Sequence, residues 1–226
     1  MTELGGAVVL VVGASGGLGS QLARQLADAG AVVVRTGRNP ATLFGPDAFL
    51  ADLRSETGPQ SLIAAAIQSH GRLDGVVIAA GVVAFGPANE VTDETVAELF
   101  DTNALAPIRM LRDSFPHLAE SAAAGREPFV VTLSGVVAEA PAAGLAAYSA
   151  SKAALAAFVS AAAREYRRSG IRLLDARPGH TDTALSTHPV AGTAPNFGRA
   201  LGAEAVAARI VRAIVDGEKD LPSSAF

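Results

Sequence analysis

Tyr148 and Lys152 stand four residues apart in Tyr148-Ser149-Ala150-Ser151-Lys152, at the head of an alanine-rich stretch. On a helix this spacing projects both side chains from one face. A free phenol, with a pKa near ~10, is a poor base at neutrality, and a neighbouring ammonium favours the phenolate. A tyrosine tuned in this way can protonate the alkoxide formed when hydride reaches a carbonyl, or deprotonate an alcohol in reverse. As a bare pattern Y-x-x-x-K is common, and a solvent-facing helix pair is its structural alternative. Its weight comes from where it lies in the chain.

A second constellation precedes it. The first apolar run leads directly into Gly13-Ala14-Ser15-Gly16-Gly17-Leu18-Gly19 and then into a helical pattern. A strand-to-helix turn leaves backbone N–H groups at the positive end of a helix, where a pyrophosphate can sit. Gly13 permits the tight turn, and Gly17 and Gly19 allow close approach. Gly13, Ser15, Gly17, Leu18 and Gly19 are therefore the dinucleotide-binding candidates, with a plain strand-to-helix turn as the alternative.

The elements that must position these groups are short valine-rich runs alternating with longer alanine-rich ones. Residues 7–12, 31–35, 76–79, 129–133 and 171–176 read as strands buried on both faces. Residues 18–29, 61–69, 95–112 and 152–168 read as helices, with Gly30 and Gly170 at C-terminal cap positions. The alternation predicts an α/β fold, a single-domain Rossmann-type doubly wound parallel sheet over residues 1–226 that binds ligand at the carboxyl ends of its strands. Residues 184–203 break the pattern. The stretch from Leu185 to Gly202, rich in proline and glycine, reads as a substrate lid, with an ordinary surface excursion as the alternative. A last helix is expected over 203–215.

The glycine spacing, G-x-x-x-G-x-G, together with the downstream Y-x-x-x-K, resembles the short-chain dehydrogenase/reductase family. That resemblance covers most of the chain. It implies an oxidoreductase in which Tyr148 is the acid or base and Lys152 also binds the nicotinamide ribose. Asn103, continuing the apolar stripe of Val96, Leu99 and Phe100, resembles the family asparagine that holds a water in a proton relay; a satisfied core amide is the other reading. Arg38 resembles the residue that binds a 2′-phosphate, since no carboxylate follows the second strand, so the resemblance implies NADP, with NAD as the alternative. Arg35 is a weaker helper, and Gly16 stands where many NADP users carry a basic residue. Asp52 and Leu53 resemble the pair that holds adenine. Gly81, Pro178, Gly179 and Thr183 resemble the segments that contact the nicotinamide end, while His180 is a lesser candidate for substrate contact.

Two departures from the family stand out. Ile78-Ala79-Ala80-Gly81 replaces the usual N-N-A-G. Thirteen residues before Tyr148, where the family has a serine bonded to the reacting carbonyl, stands Gly135. Ser134 beside it is assigned the catalytic role here, which requires a bulge, because neighbours on a strand face opposite ways.

Composition narrows the partners. A net charge of −4 gives no general attraction to nucleic acid or anionic membrane. The absence of cysteine excludes disulfides and thiol nucleophiles, and four scattered histidines lack metal-ligand spacing, so no metal is expected. No basic-then-apolar leader or bilayer-length apolar run is visible, so a cytoplasmic location is expected. The expected partner is a small carbonyl or alcohol, and the resemblance implies a homodimer or homotetramer. Phe197 suggests an apolar substrate; His188 and Arg199 are the candidates for recruiting an acidic one. A non-catalytic NAD(P)-binding sensor or assembly protein is the rival class, kept open by Gly135. An epimerase or dehydratase would need a larger substrate domain.

Overall fold

The computed structural model describes residues 1–38, 40, 43 and 47–226. Six parallel strands form its central sheet: β1 (Val8–Val12), β2 (Val32–Gly37), β3 (Ala48–Leu50), β4 (Gly75–Ile78), β5 (Phe129–Leu133) and β6 (Arg172–Ala176), in the order β3-β2-β1-β4-β5-β6. The order reverses between β1 and β4, which places the ligand crevice at their carboxyl ends.

Both faces of the sheet are covered, and the alternation along each strand explains how. Val9 and Val11 of β1 pack with Leu22 and Leu26 of α1 (Gly17–Asp28) and with Ile210 and Ile214 of α6 (Ala203–Asp216). Val8, Leu10 and Val12 face the other way, into Leu62 of α2 (Gly58–His70), Met110 and Leu118 of α4 (Ala106–Ala123), and Leu155 and Val159 of α5 (Ala146–Tyr166). Two-sided burial is why these strands read as continuous apolar runs.

Two helix boundaries differ most from the sequence reading. The helix expected over 95–112 is α3 (Asp93–Phe100), then a π-helical turn (Asp101–Leu105), then α4, which runs on to Ala123 through Pro116. α5 begins at Ala146, six residues before the expected start, so Tyr148 lies in its first turn. Beyond β6, Ala176 makes an isolated parallel bridge to Leu221.

The irregular segment after β6 is anchored at both ends. Thr181–Asp182 (β7) pairs with Leu201–Gly202 (β8). Between them, Val190 N donates to Val83 O at 2.9 Å and Phe85 N donates to Ala191 O at 2.9 Å. Gly192, at φ +73°, is required here: a Cβ would lie 1.9 Å from Phe85 O.

Candidate active site

One cleft of about 750 Å³ runs across the carboxyl end of the sheet, from Arg38 and Asp52 at one end to Phe85 and Phe197 at the other. Its floor is the glycine turn. Gly13 takes φ +83°, and a Cβ there would lie 2.7 Å from Ala80 N; a Cβ on Gly19 would lie 2.1 Å from Gly13 O. Ser15 packs against Gly37, leaving no room for a side chain at the end of β2. No side chain caps α1 at Gly16. The first-turn amides of this 12-residue helix are thus left for an anion, as the turn's sequence suggested.

At the Arg38 end, Arg54 grips Asp52 with a contact of 2.6 Å. This pairing, with Arg38 adding a smaller effect, holds the Asp52 carboxyl down to about 2. Leu53 is buried beside it and Arg38 is exposed on the cleft rim. Arg35 does not line the cleft. Arg54 does, and the sequence reading passed over it because no motif marks it. Thr102 was missed in the same way. It is buried against the cleft, and its hydroxyl has no hydrogen-bond partner among the described residues.

The catalytic candidates meet in the middle. Tyr148 is half-buried on the cleft wall, with Lys152 Nζ 6.0 Å from its ring centre. Lys152 is buried and donates to Leu133 O at 2.7 Å. Burial pushes its ammonium down to about 8, opposed by the carboxylate of Asp175. Burial also pushes the Tyr148 phenol up to about 12. The lowering expected from Lys152 is thus outweighed by desolvation of the phenol.

Asn103 is fully buried and does not line the cleft. Its amide accepts from Val82 N and donates to Val82 O, each at 2.9 Å, and donates to Ser151 Oγ at 3.1 Å. The side chain is a brace between the segment after β4 and α5. It sits at the π-helical turn, a backbone irregularity often found at functional sites. Gly81 is the point of convergence: a Cβ there would lie 3.2 Å from Asn103 Oδ1 and 3.3 Å from Lys152 Nζ.

Ser134 lines the cleft, as its assigned role requires, but its hydroxyl is engaged elsewhere. The paired ladder of β5 ends at Leu133, and beyond it Gly135 N, in place of Ser134 N, donates to Ala176 O at 3.3 Å, so the alternation is broken at Ser134. Ser134 and Thr132 reach the same carboxylate: the Ser134 hydroxyl donates to Asp175 Oδ2 at 2.5 Å and Thr132 Oγ1 to Oδ1 at 2.7 Å. A hydroxyl has one hydrogen to give, so binding a substrate carbonyl would require Ser134 to turn away from Asp175. Gly135, at φ +74°, turns the chain into a 3₁₀ turn at Val136–Ala138.

The candidates for the nicotinamide end all lie on the cleft wall. Pro178, Gly179 and Thr183 line the cleft, and Thr183 lies over the glycine turn. Beyond Tyr148 the wall is apolar, formed by Val82, Val83, Phe85, Val137, Leu145 and Leu185. His180 stacks on Phe197 with ring centres 4.7 Å apart, and Phe197 meets Phe85 at 5.8 Å. His188 also lines the cleft, but its Nδ1 lies 3.0 Å from Ala184 O. Arg199 is exposed and does not reach the cleft.

A Rossmann-type sheet with this turn and this tyrosine–lysine pair defines a nucleotide-dependent oxidoreductase class. Residues 7–192 match the family described as short chain dehydrogenase, and the chain belongs to that family. It is 32% identical over 206 residues to an uncharacterised oxidoreductase of Methylorubrum extorquens, covering 85% of this chain and 81% of the relative. It is 31% identical over 198 residues to ipsdienol dehydrogenase of Ips pini, covering 82% and 78%. Among solved structures, 3-ketoacyl-(acyl-carrier-protein) reductase from Brucella melitensis, complexed with NADH, superposes with a TM-score of 0.87 at 26% identity, covering 97% of each chain.

Proposed function

We propose that the protein is an NADP-dependent oxidoreductase that transfers a hydride between the nicotinamide and a carbonyl or its alcohol, with Tyr148 as general acid and base. The observation that carries this reading is the continuity of one cleft from the uncapped glycine turn to Tyr148 and Lys152. The same cleft fits a dinucleotide: the glycines form a cradle that any Cβ would fill, and the Thr102 hydroxyl awaits a partner. Ser15, Gly17 and Leu18 would hold the pyrophosphate with Gly13 and Gly19. Arg38, joined by Arg54, would take the 2′-phosphate, and Asp52 and Leu53 the adenine. Lys152, Pro178, Gly179, Gly81 and Thr183 would hold the nicotinamide end. The bound nicotinamide supplies or accepts the hydride.

Tyr148 retains its proton at neutral pH, since burial pushes it up to about 12. It can thus deliver that proton to an alkoxide oxygen in carbonyl reduction. Asn103 acts as a positioning residue that holds Val82 and Ser151 in place. Apart from Lys152, the substrate end of the cleft has no charged side chain among the described residues, so the substrate is an apolar, uncharged carbonyl compound. Residues 184–203 serve as its lid. The working unit is a homodimer or homotetramer, following the family resemblance.

One observation favours a second reading, a non-catalytic nucleotide-binding protein: Gly135 stands at the family's serine position, and the neighbouring Ser134 hydroxyl is given to Asp175. A single experiment separates the two. NADPH and NADH oxidation is measured across a panel of apolar ketones and aldehydes, with the protein and its Tyr148→Phe variant. NADPH-preferring turnover that falls at least about 100-fold in the variant supports the enzyme. Tight NADPH binding with no turnover of any carbonyl favours the binding protein, and preference for NADH overturns the role given to Arg38.

A further inference from the structure

Arg177 follows β6 directly and precedes the Pro178-Gly179 segment of the nicotinamide end; its side chain is 14% exposed. Its guanidinium uses all three nitrogens. Nε binds Glu139, one terminal nitrogen binds Asp220 at 2.6 Å, and the other reaches Asp175 Oδ2 at 3.3 Å. The backbone joins in, since Arg177 N donates to Leu221 O at 3.0 Å. Three stretches far apart in sequence, at Glu139, at Arg177 and at 220–223, thus meet on one cation. A planar guanidinium suits this role, because its fork of donors binds several carboxylates at once.

Glu139 is the link from this cluster to the cleft. It caps the 3₁₀ turn Val136–Ala138, and its amide donates to Val136 O at 3.0 Å. Arg177 holds one oxygen of its carboxylate. The Ser223 hydroxyl and amide hold the other, the amide at 3.3 Å. Ser223 and Arg177 keep the Glu139 carboxyl below the usual carboxylate range, so the clamp is charged at neutral pH. Glu139 does not line the cleft, whereas Val136, Val137 and Ala140 do. Val137 packs with Phe85, Leu145 and Tyr148. This apolar wall is therefore held from outside the cleft by a charged residue that no substrate meets.

We propose that Glu139, clamped by Arg177, is a positioning residue: it fixes how the Val136–Val137 wall stands against Tyr148, and so governs the fit of an apolar carbonyl substrate without touching it. The effect on substrate rests on the oxidoreductase reading above. The placement of the wall does not, so the two can fail separately.

Glu139→Ala removes the clamp and leaves Arg177 paired with Asp175 and Asp220. KM for a bulky apolar ketone should rise about tenfold while kcat changes less than about threefold, the pattern of lost substrate fit. NADPH affinity should be unchanged. Asp220→Asn is the control: it weakens the same cluster but leaves Glu139 bonded to Arg177 and Ser223, and KM should hold. A purely structural cluster lowers stability in both variants and moves KM in neither. An unchanged KM in folded Glu139→Ala therefore overturns the proposal, and so does an equal rise in Asp220→Asn. Valine methyl NMR reads the wall independently of turnover. The Val137 signals, packed beside Phe85 and Tyr148, should shift in Glu139→Ala and stay in place in Asp220→Asn. Unmoved signals in Glu139→Ala, or equal shifts in the two variants, overturn the proposal. If Glu139→Ala does not fold, Glu139→Gln, which keeps the size and loses the charge, takes its place with the same expectations. Absence of turnover in the unmodified protein removes the proposed function and leaves the methyl signals to decide this inference.

Discussion

Gly17 and Thr183 touch across the cleft: a Cβ built on Gly17 would lie 2.9 Å from both Cβ and Cγ2 of Thr183. The phosphate turn and the root of the proposed lid are thus one packed unit. Gly17→Ala should push Thr183 off this position and weaken NADPH binding on the order of tenfold, in line with overpacking costs of about 1–3 kcal/mol. Nucleotide fluorescence titration measures this cleanly because the chain has no tryptophan. Unaltered affinity would separate Thr183 from the nucleotide site.

The two serine positions make a paired prediction. Ser134→Ala should leave turnover within a few-fold of the unmodified protein, since the hydroxyl serves Asp175. Gly135→Ser should lower stability by about 1–2 kcal/mol, because φ +74° suits only glycine, although the nearest atom to its Cβ, Pro178 O, is 3.7 Å away. Steady-state rates and urea unfolding test the two claims. A collapse of turnover in Ser134→Ala would return that residue to the reacting carbonyl.

Arg38 and Arg54 should act together at the adenosine end. Arg38→Ala should raise KM for NADPH at least about tenfold and change KM for NADH little, as expected for a lost charge-assisted bond to phosphate. Arg54→Ala should affect both nucleotides, since it frees the Asp52 carboxylate from its 2.6 Å partner. Equal effects of Arg38→Ala on NADPH and NADH would remove the 2′-phosphate assignment.

Stability should respond to pH through the buried pair. Lys152 is held at about 8, against roughly 10.4 in an unfolded chain. Between those values the unfolded chain keeps a proton that the folded one has released, so the cost of burying this lysine is relieved as pH rises from about 8 to about 10. Tyr148 and Tyr166, both pushed up to about 12, act the other way above about pH 10, where unfolded phenols ionise first. Lys152→Met should therefore gain most over the unmodified protein near pH 7, and the gain should shrink toward pH 10. Parallel denaturation curves for the two across this range would contradict the sign.

The residues legible in the sequence were those whose meaning is local. Gly13 to Gly19 and Tyr148 with Lys152 each sit within one turn or one helix, and their spacing alone states the geometry. Asp175 was invisible for the opposite reason. Its partners Thr132 and Ser134 lie 43 and 41 residues away, and only the register of β5 against β6 joins them. Arg54 and Thr102 are similar, each defined by a cleft that several distant segments close. Helix limits failed where side-chain pattern and backbone part company: the π-helical turn at Asp101–Leu105 leaves the apolar periodicity nearly intact, and Pro116 sits inside α4 without ending it.

For a lid over residues 184–203, as proposed above, the attachment of the segment would set how often the cleft is open. Two main-chain hydrogen bonds, from Val190 to Val83 and from Phe85 to Ala191, and the contact between Phe85 and Phe197 fasten that segment at the substrate end. At about 1 kcal/mol for each bond and for the ring pair, opening costs about 3 kcal/mol. Roughly one molecule in a hundred would then stand open at any moment. The amides of Val190 and Phe85 should accordingly show hydrogen-exchange protection on the order of a hundredfold, far less than the buried core strands, and the two should exchange together. Entry to the cleft would be set by a frequent local fluctuation, with the rest of the sheet left intact.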